Sequence, residues 1–563
     1  MDFVLALHSH LPYVLNHGRW PHGSDWLCEA ALDTYLPLLE RLTELAAEGT
    51  AAPVTIGFTP VLANQLASPA FAREMDAFFA QRLTACDEAA ASLASGGDAA
   101  LLPLVEFWRA RLHRLQALFR SIDRDLISAF RRLEEQGRLE IIGSAATHGY
   151  LPLLGRDESI RLQLAVGREE HRRLFGATPA GCWLPECAYR PRGRWAPLGG
   201  RGRTRPGTEE HLADAGFRFF FTDAHLARAG SPLGAYEDVP LGVERFDAER
   251  HGPVSPPLHR AGKAARSPYR AYRVSGRSAR GQVATLVRDP RSSTQIWSRH
   301  HGYPGDESYL EFHKIRWPGG LKLWRVSGGN VDLGAKRPYE PAAALERARG
   351  HASHFVQLLE GIAVEQRAGA QSGEGVIVAP FDTELFGHWW FEGADFLAAA
   401  YRALRDRPQQ RVCAVTGSQH LAAHPPRVGL RLAEGSWGAN GDHSMWLNDR
   451  TAWTWRRLWA LEEAFWDLAP KALASAAARP ALAQAARELL LAQASDWQFI
   501  ISTGAVVDYA ERRFTQHCDD AERLIKALTG GALEDAGRIA DELARRDDLF
   551  PNVLAQVAGA LGG

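Results

Sequence analysis

The sequence predicts an α/β protein: an incomplete (β/α)7 barrel that carries a helical insert and is followed by a C-terminal all-α domain. Three observations lead to this fold class. Short apolar runs alternate with segments of helical periodicity, the runs break into polar residues at their ends, and the apolar pattern beyond residue 425 is helical. Repeated strand, loop and helix is typical of a parallel β/α barrel, whose chemistry lies where the strands end.

The predicted strands are short apolar runs, each followed by polar or turn-forming residues. They are Phe3–Leu7, Val54–Phe58, Leu139–Ile142, Gly181–Pro185, Phe217–Phe221, Val283–Val287 and Gly375–Phe381. Helical periodicity fills segments between them, such as Asp157–Phe175 and Glu340–Gln366. Seven strands are one fewer than a complete eight-stranded barrel contains.

The chain divides where this alternation is interrupted. The predicted domains are the barrel (1–66 and 136–424), a small helical insertion (67–135) and a C-terminal helical domain (425–563). Residues 190–208 and 251–282 are rich in Arg, Pro and Gly, so we predict that they are loops.

Composition narrows the class of protein. The 65 Lys and Arg nearly balance the 66 Asp and Glu over 563 residues, which argues against nucleic-acid or membrane-surface binding. The start of the sequence has no signal-peptide pattern, no apolar run is long enough to span a membrane, and the six Cys form no CxxC pair. We therefore expect a cytoplasmic enzyme. The 17 Trp fit either sugar stacking or core packing.

Glu186 is the first candidate catalytic residue. It follows the predicted strand Gly181–Pro185 within the segment Trp183–Tyr189, where aromatic and small residues surround it. A carboxylate at a strand end can reach a ligand, but a structural Glu that caps a neighbouring helix fits the same position.

Asp382 is the second candidate. A buried strand leads directly into it, and Glu384, His388 and two Trp follow. Apolar surroundings raise the pKa of a carboxyl group, as a general acid requires near neutral pH, although a hydrogen-bonded Asp in a turn is the alternative. Two acidic strand ends in a Trp-rich barrel suggest the paired-carboxylate chemistry of glycoside cleavage.

His8 and His10 end the first predicted strand, and a spacing of two places both rings on one face. This spacing allows metal binding, but no clear third ligand is visible in the sequence. We therefore predict that His10 contacts a sugar hydroxyl group and that no metal is bound.

An ordered set of segments resembles glycoside hydrolase family 57, and within it the members that branch α-glucans. The resemblance covers nearly the whole chain. It is carried by His8–Tyr13, Gly143–His148, Trp183–Tyr189, Phe381–Gly393, Gly435–Trp446 and Ser495–Trp497.

The resemblance implies a seven-stranded barrel, a helical insert, a helical C-terminal domain and a retaining reaction that needs no metal or cofactor. It implies that Glu186 is the nucleophile and Asp382 the general acid/base. Positions matching likely glucan-contacting residues are His10, Tyr236, Arg288, Trp297, Gly305, Trp437, Trp446 and Asp496. Ala505 departs from the Gln that similar enzymes often carry there, which affects an outer subsite and not the two carboxylates.

The expected reaction is cleavage of an internal α-1,4 glucan linkage and transfer of the chain to a 6-hydroxyl group of another glucan. The expected partner is thus an α-glucan such as amylose, amylopectin or glycogen, acted on by a monomer. Two alternatives remain: hydrolysis or 4-α-glucan transfer by the same carboxylates, and a glucan-binding protein without catalysis. The two intact acidic residues count against the last.

Overall fold

The computed structural model describes residues 1–96, 98–230, 232, 266–278, 280–297, 302–317, 319–328, 331–369 and 375–562. The strands within these residues are β1 (Asp2–Ser9), β2 (Val54–Phe58), β3 (Glu140–Ser144), β4 (Gly181–Trp183), β5 (Gly193–Trp195), β6 (Arg203–Arg205), β7 (Phe219–Thr222), β8 (Tyr272–Val274), β9 (Ala284–Val287), β10 (Val376–Asp382), β11 (Cys413–Ala414) and β12 (Gly429–Leu430).

Among the described strands, seven form a continuous parallel sheet in the order β10-β1-β2-β3-β4-β7-β9. Each of the seven predicted strands corresponds to one of them, so the prediction of an incomplete seven-stranded barrel is confirmed. The sheet curls, and the Asp289 N–H donates to the carbonyl oxygen of Val378 at 2.8 Å between the β9 and β10 ends. Because all seven strands run parallel, their carboxyl ends lie at one edge.

The strands are apolar along their length because both faces of the sheet are covered. Residues Phe3–Ser9 of β1 and Val376–Phe381 of β10 are buried without interruption. Parallel strands covered on both faces have this continuous pattern instead of alternation. The seven segments were therefore recognisable in the sequence because apolar residues dominate each of them, although polar residues such as Thr55, Glu140 and Arg218 interrupt several.

The helices that cover the barrel and form the insert follow the predicted periodicity, with Asp157–Phe175 at the predicted bounds. They are α1 (Ser24–Ala30), α2 (Leu36–Ala47), α3 (Pro60–Leu66), α4 (Pro69–Ser95), α5 (Leu102–Ser121), α6 (Leu126–Glu135), α7 (Asp157–Phe175), α8 (Thr208–Ala215), α9 (Pro290–Trp297), α10 (Pro341–Gly369), α11 (Gly393–Arg405) and α12 (Gly417–Ala423). Helices α4 to α6 occupy the predicted insertion, and the domain limits stay predictions.

Two segments predicted to be loops contain strands, so that prediction was wrong in part. Within 190–208, β5 and β6 form an antiparallel ribbon. Trp195 orders this ribbon, because its ring is buried under the guanidinium of Arg205 at 4.7 Å. Within 251–282, β8 buries Tyr272 and Val274 and pairs antiparallel to β9. In both cases a few apolar side chains outweigh the Arg, Pro and Gly around them.

The C-terminal part is helical from Ala452 onward, whereas residues 425–451, which were also predicted to be helical, contain β12 and turns. Its helices are α13 (Ala452–Ala474), α14 (Arg479–Ala492), α15 (Asp496–Thr503), α16 (Val507–Thr529), α17 (Leu533–Ala544) and α18 (Val553–Leu561). A guanidinium N–H of Arg513 donates to the carbonyl oxygen of Tyr13 at 2.8 Å and so joins α16 to the loop after β1. Among the described residues, no helix combines the length and apolar character that crossing a membrane requires.

Candidate active site

Glu186 lies in a strained turn directly after β4. It belongs to the short 3₁₀ turn Pro185–Cys187 and has φ +60° and ψ +22°, in the left-handed region that residues with a side chain rarely adopt. The Glu186 backbone is held in this conformation because the backbone N–H of Trp437 donates to the Glu186 carbonyl oxygen at 3.1 Å. Backbone strain of this kind is concentrated at functional sites, where the surrounding structure maintains it.

Two donors from the C-terminal part bind the Glu186 carboxylate. The indole N–H of Trp437 donates to Oε2 at 2.9 Å, and the Ser495 hydroxyl donates to Oε1 at 3.3 Å. The Nδ1 atom of His148 lies 3.7 Å from Oε1, and the Glu186 side chain is 14% exposed. The carboxylate is thus oriented by protein groups and still accessible to a ligand.

Burial raises the pKa of Glu186 to about 7, and the negative charge of Asp496 acts in the same direction. The hydrogen bonds from Trp437 and Ser495 oppose this rise, because they stabilise the ionised form. Glu186 therefore changes protonation state near neutral pH, where an ordinary Glu is fully ionised.

Asp382 is the last residue of β10, and its pKa lies well above the usual value. Burial is the main cause, and the negative charges of Glu384 and Glu186 add to it, while Arg288 opposes it. Asp382 thus retains its proton at a pH where an ordinary Asp has lost it. The sequence prediction of a carboxyl group with a raised pKa at this position is consistent with this direction.

Glu384, the other acid beside Asp382, is held by the surrounding structure. The phenol of Tyr35 and the backbone N–H of His10 both donate to its Oε1 atom, the latter at 3.2 Å. Tyr35 ends a π-helical turn, Ala31–Tyr35, between α1 and α2. Because its carboxylate is buried and already hydrogen bonded, Glu384 is a positioning group beside Asp382 more readily than a nucleophile.

The rings of His8 and His10 lie on one face of β1, as the spacing of two predicts. Their centroids are 6.1 Å apart with an interplanar angle of 18°. His8 stacks on Trp183 at 4.7 Å, and its Nε2 lies 3.0 Å from Nε2 of His148. His148 in turn lies 2.9 Å from the Ser495 hydroxyl through Nδ1. Burial lowers the pKa of His8 and His148 well below the usual value, so both rings are neutral.

His10 and Asp496 contact each other across the two parts of the chain. Nε2 of His10 lies 2.9 Å from Oδ2 of Asp496, and Nδ1 lies 2.9 Å from the Thr59 hydroxyl. The side chains are 12% and 13% exposed. The structure therefore brings together two predicted substrate-binding residues that are separated by most of the sequence.

The sequence did not show a third potential metal ligand near His10, but the structure places one there. Ligating atoms of His10, His148 and Asp496 lie within 4.8 Å of one another. Both ring nitrogens of each His already have protein partners, so a metal would have to displace hydrogen bonds. The arrangement is satisfied as a hydrogen-bonded network. His148 and Ser495 received no role from the sequence, although both stand in the segments that carried the resemblance.

Arg288 follows β9 and is buried near Asp382, where its charge opposes the rise in the Asp382 pKa. Its guanidinium donates to Oδ2 of Asp223 at 3.2 Å and to the Ser293 hydroxyl at 2.9 Å. The guanidinium carbon lies 5.7 Å from the centre of the Trp437 ring. Arg288 thus links the end of β9 to the Trp that binds Glu186, although its side chain is only 1% exposed.

The two Trp predicted from the C-terminal part differ in position. Trp437 contacts Glu186 directly and packs edge-on against Trp183 at 5.3 Å. Trp446 is fully buried and stacks on Tyr150 at 4.5 Å, in the packed interior next to this site. A stacking role for Trp446 stays a prediction.

The remaining predicted residues lie farther along the barrel edge or outside the described residues. Trp297 ends α9, with its ring 6.3 Å from the half-exposed Trp389 and 6.5 Å from Phe381, which precedes Asp382. Gly305 is the exposed last residue of a 3₁₀ turn, Tyr303–Gly305, whose Tyr303 is buried. Tyr236 lies outside the residues that the structure describes.

Comparison with known families matches nearly the whole chain. Residues 4–432 match glycosyl hydrolase family 57, and residues 457–557 match the C-terminal domain described as 1,4-alpha-glucan branching enzyme, C-terminal. The 1,4-alpha-glucan branching enzyme TK1436 of Thermococcus kodakarensis is 39% identical over 98% of this chain and 77% of its own length.

Solved structures of glucan-active enzymes are similar to this chain over nearly its whole length. The crystal structure of TK1436 superposes with a TM-score of 0.88 at 37% identity, covering 99% of this chain and 96% of that one. A branching enzyme of this family from Pyrococcus horikoshii superposes with a TM-score of 0.84 at 35% identity and with the same coverage of both chains. The alpha-amylase AmyC of Thermotoga maritima gives 0.76 at 28% identity, covering 98% of this chain and 99% of that one.

Proposed function

Because the chain belongs to glycosyl hydrolase family 57, we propose that it is a 1,4-alpha-glucan branching enzyme. It cleaves an α-1,4 glucan chain and transfers the released segment to a 6-hydroxyl group, forming an α-1,6 branch. Its similarity to two branching enzymes and the match of its C-terminal part support the reaction. Glu186 and Asp382 support the mechanism, because both carboxyl groups have raised pKa values and the charge of Glu186 contributes to the rise at Asp382.

In the first step, Glu186 attacks the anomeric carbon while Asp382 protonates the departing glycosidic oxygen. The environment of each group suits its role. Donors from Trp437 and Ser495 stabilise the anion on Glu186, whereas burial and negative neighbours keep the proton on Asp382. Two interacting carboxyl groups whose surroundings differ in this way divide into a nucleophile and an acid.

In the second step, Asp382 accepts the proton of an incoming 6-hydroxyl group, and that oxygen displaces Glu186 from the anomeric carbon. Two displacements at one carbon retain its configuration. A retaining reaction requires carboxyl groups about 5–5.5 Å apart, and this separation of Glu186 and Asp382 stays a prediction. We propose that His10 and Asp496, whose side chains contact each other at 2.9 Å, bind sugar hydroxyl groups.

Hydrolysis is the second candidate, favoured by the similarity to the alpha-amylase AmyC. The same two carboxyl groups would act, and water would take the place of the 6-hydroxyl group. How well the site excludes water decides between the outcomes. The resemblance also implies that Tyr236 favours branching over hydrolysis. This role, the cytoplasmic location and the monomeric state all stay predictions.

The test is incubation of the protein with amylose, followed by enzymatic debranching and analysis of chain lengths. We expect new α-1,6 linkages in excess of new reducing ends. Reducing ends without branch points would favour the hydrolase instead. A protein that binds amylose and changes neither quantity would be a glucan-binding protein.

The carboxyl roles are tested by Glu186→Gln and Asp382→Asn, which keep side-chain shape and remove the nucleophile and the proton donor. Each should lose several orders of magnitude in turnover while folding normally. Glu463→Gln is the matched control, because Glu463 is an exposed residue of α13 that forms an ion pair with Arg156. Azide should partly rescue Glu186→Ala as an external nucleophile. Near-normal branching by Glu186→Gln would exclude Glu186 as the nucleophile.

A further inference from the structure

A second group of potential ligands lies at the opposite end of the barrel from Glu186. Asp2 begins β1, whereas His8 and Ser9, at the other end of this strand, belong to the candidate active site. Six residues of extended strand separate the two ends by roughly 20 Å. Asp2 therefore takes no part in the chemistry described above.

Two imidazoles approach Asp2 from helix α12. His420 lies within this helix and His424 caps its end, so a spacing of four places both rings on one helix face. The preceding strand β11 pairs parallel to the start of β1, with Cys413 opposite Asp2. This pairing brings the helix next to Asp2, although the residues stand at opposite ends of the barrel sequence.

The helix is held firmly in this position. Thr416 caps its first turn reciprocally with Gln419. The N–H of Gly417 donates to the Thr55 hydroxyl at 2.9 Å, and the N–H of Ser418 donates to Glu140 at 3.1 Å. Because its first turn is tied to β2 and β3, the two His are presented to Asp2 by a rigid support.

The three side chains converge on one carboxylate oxygen. Nδ1 of His420 lies 2.8 Å from Oδ2 of Asp2, and Nε2 of His424 lies 3.8 Å from the same oxygen. One ligand atom from each residue lies within 4.8 Å of the other two. Tetrahedral zinc with bonds of about 2.1 Å has ligand atoms roughly 3.4 Å apart. Small movements of His424 towards Asp2 and of His420 away from it would give this geometry.

The group formed by Asp2, His420 and His424 is buried on the His420 side and accessible to solvent on the His424 side. The His420 side chain is 1% exposed, Asp2 is 17% exposed and His424 is 31% exposed. A cation could enter past His424 and retain water as its remaining ligand. The nearby amino group of Met1 donates to the carbonyl oxygen of Arg411 at 3.1 Å and does not occupy the carboxylate.

Within the part of the chain that the structure describes, the other two groups of this kind are less suited to a cation. His10, His148 and Asp496 belong to the candidate active site, where the ring nitrogens already have partners. Glu488, His517 and Asp547 are fully buried, with Arg513 against His517 and Arg546 against Asp547. Positive charges in direct contact with these ligands would repel a metal ion.

We propose that Asp2, His420 and His424 bind a divalent cation of the Zn²⁺ class, with water completing the coordination. Two imidazoles and one carboxylate are ligands that Zn²⁺ accepts. The cation would fasten the first barrel strand to helix α12. Because only the folded chain brings the three ligands together, binding would raise the unfolding temperature.

The experiment uses untagged protein that has been treated with a chelator and dialysed. Zn²⁺ is titrated by calorimetry, Co²⁺ is titrated by its visible absorption, and the unfolding temperature is measured with and without Zn²⁺. His424→Gln removes the most exposed ligand and should fold normally. His313→Gln is the matched control, because His313 is an exposed His paired with Glu311 at 2.8 Å and is far from Asp2 in sequence.

We expect the wild-type chain and His313→Gln to bind one cation with equal affinity and with a rise in unfolding temperature. His424→Gln should bind at least 10-fold more weakly, with branching activity unchanged in the absence of metal. A cation bound at His10 and Asp496 would instead inhibit branching and would persist in His424→Gln. Equal affinity in His424→Gln and the wild-type chain, or no binding at micromolar Zn²⁺, would overturn the proposal.

Discussion

The indole of Trp437 provides the sharpest test of the proposed mechanism. Trp437→Phe keeps an aromatic ring beside Glu186 and removes the N–H that donates to Oε2 at 2.9 Å. This hydrogen bond stabilises the ionised carboxylate and lowers the pKa of Glu186, which burial has raised to about 7. Its loss should therefore raise that pKa further, and the nucleophile should ionise only at higher pH.

The size of the effect follows from the charge on the acceptor. A hydrogen bond to a charged group contributes about 1.5–3 kcal/mol, which corresponds to about one to two pKa units. From a starting pKa of about 7, the ionised fraction of Glu186 at pH 7 falls from about one half to between a tenth and a hundredth. We expect kcat/KM at pH 7 to fall about 5- to 50-fold and to recover as the pH rises.

The assay is the pH dependence of kcat/KM, which reports the essential groups of the free enzyme. An α-maltosyl fluoride donor isolates the nucleophile, because fluoride departs without a proton from Asp382. The matched control is Trp466→Phe on the C-terminal helix α13. It removes an indole N–H that donates to the buried hydroxyl of Ser159 on α7 at 2.8 Å. This control should lose stability and keep the acid limb of the wild-type profile.

The result that refutes the reasoning is a uniform loss of rate with an unshifted acid limb. Trp437 would then contact the sugar and would not tune Glu186. An acid limb shifted equally in Trp466→Phe would also refute it, since the change would then be nonspecific.

Three further predictions concern stability and the neighbouring charges. Glu186→Gln should be more stable than the wild-type chain at pH 8, by up to about 3 kcal/mol. The raised pKa of Glu186 stabilises the wild-type fold at low pH, and this contribution is lost as the pH rises from 4.5 to about 7. Denaturant unfolding at pH 5 and at pH 8 measures the difference. Asp223→Asn should cost about 3–5 kcal/mol in the same assay, because it leaves the buried guanidinium of Arg288 without its carboxylate partner, and a loss below 1 kcal/mol would contradict this. Burial tends to raise the pKa of Asp547, but the hydrogen bond from His17 and nearby positive charge hold this pKa below the usual value. The ionised Asp547 should therefore stabilise the fold at pH 7, and this contribution should disappear as the pH falls below about 4. Asp547→Asn should be less stable than the wild-type chain at pH 7 and should lose less stability on acidification, and an unchanged dependence of stability on acid pH would contradict this.

The sequence by itself determined the barrel, because each strand and helix carries its own apolar pattern. The run Val376–Phe381 is buried along its length and could be recognised without knowing its neighbours. The same holds for α7, whose periodicity gave its bounds. Local pattern failed at β5 and β6, because the order of that ribbon depends on the burial of Trp195 under Arg205 and not on its Arg, Pro and Gly content.

The sequence also identified Glu186 and Asp382 as candidates, because each stands where a buried strand ends. Parallel strands bring their carboxyl ends to one edge, so acids at two such ends are expected to be neighbours. The pairing of His8 with His10 on one face followed from the two-residue period of a strand.

Only the tertiary structure decided which groups set the chemistry of these acids. Trp437 and Ser495 reach Glu186 from positions 251 and 309 residues away, and Asp496 reaches His10 from 486 residues away. No local period carries such contacts, because they depend on how the C-terminal helices pack on the barrel. Protonation is likewise a property of burial and neighbouring charge, and both exist only once the chain has folded.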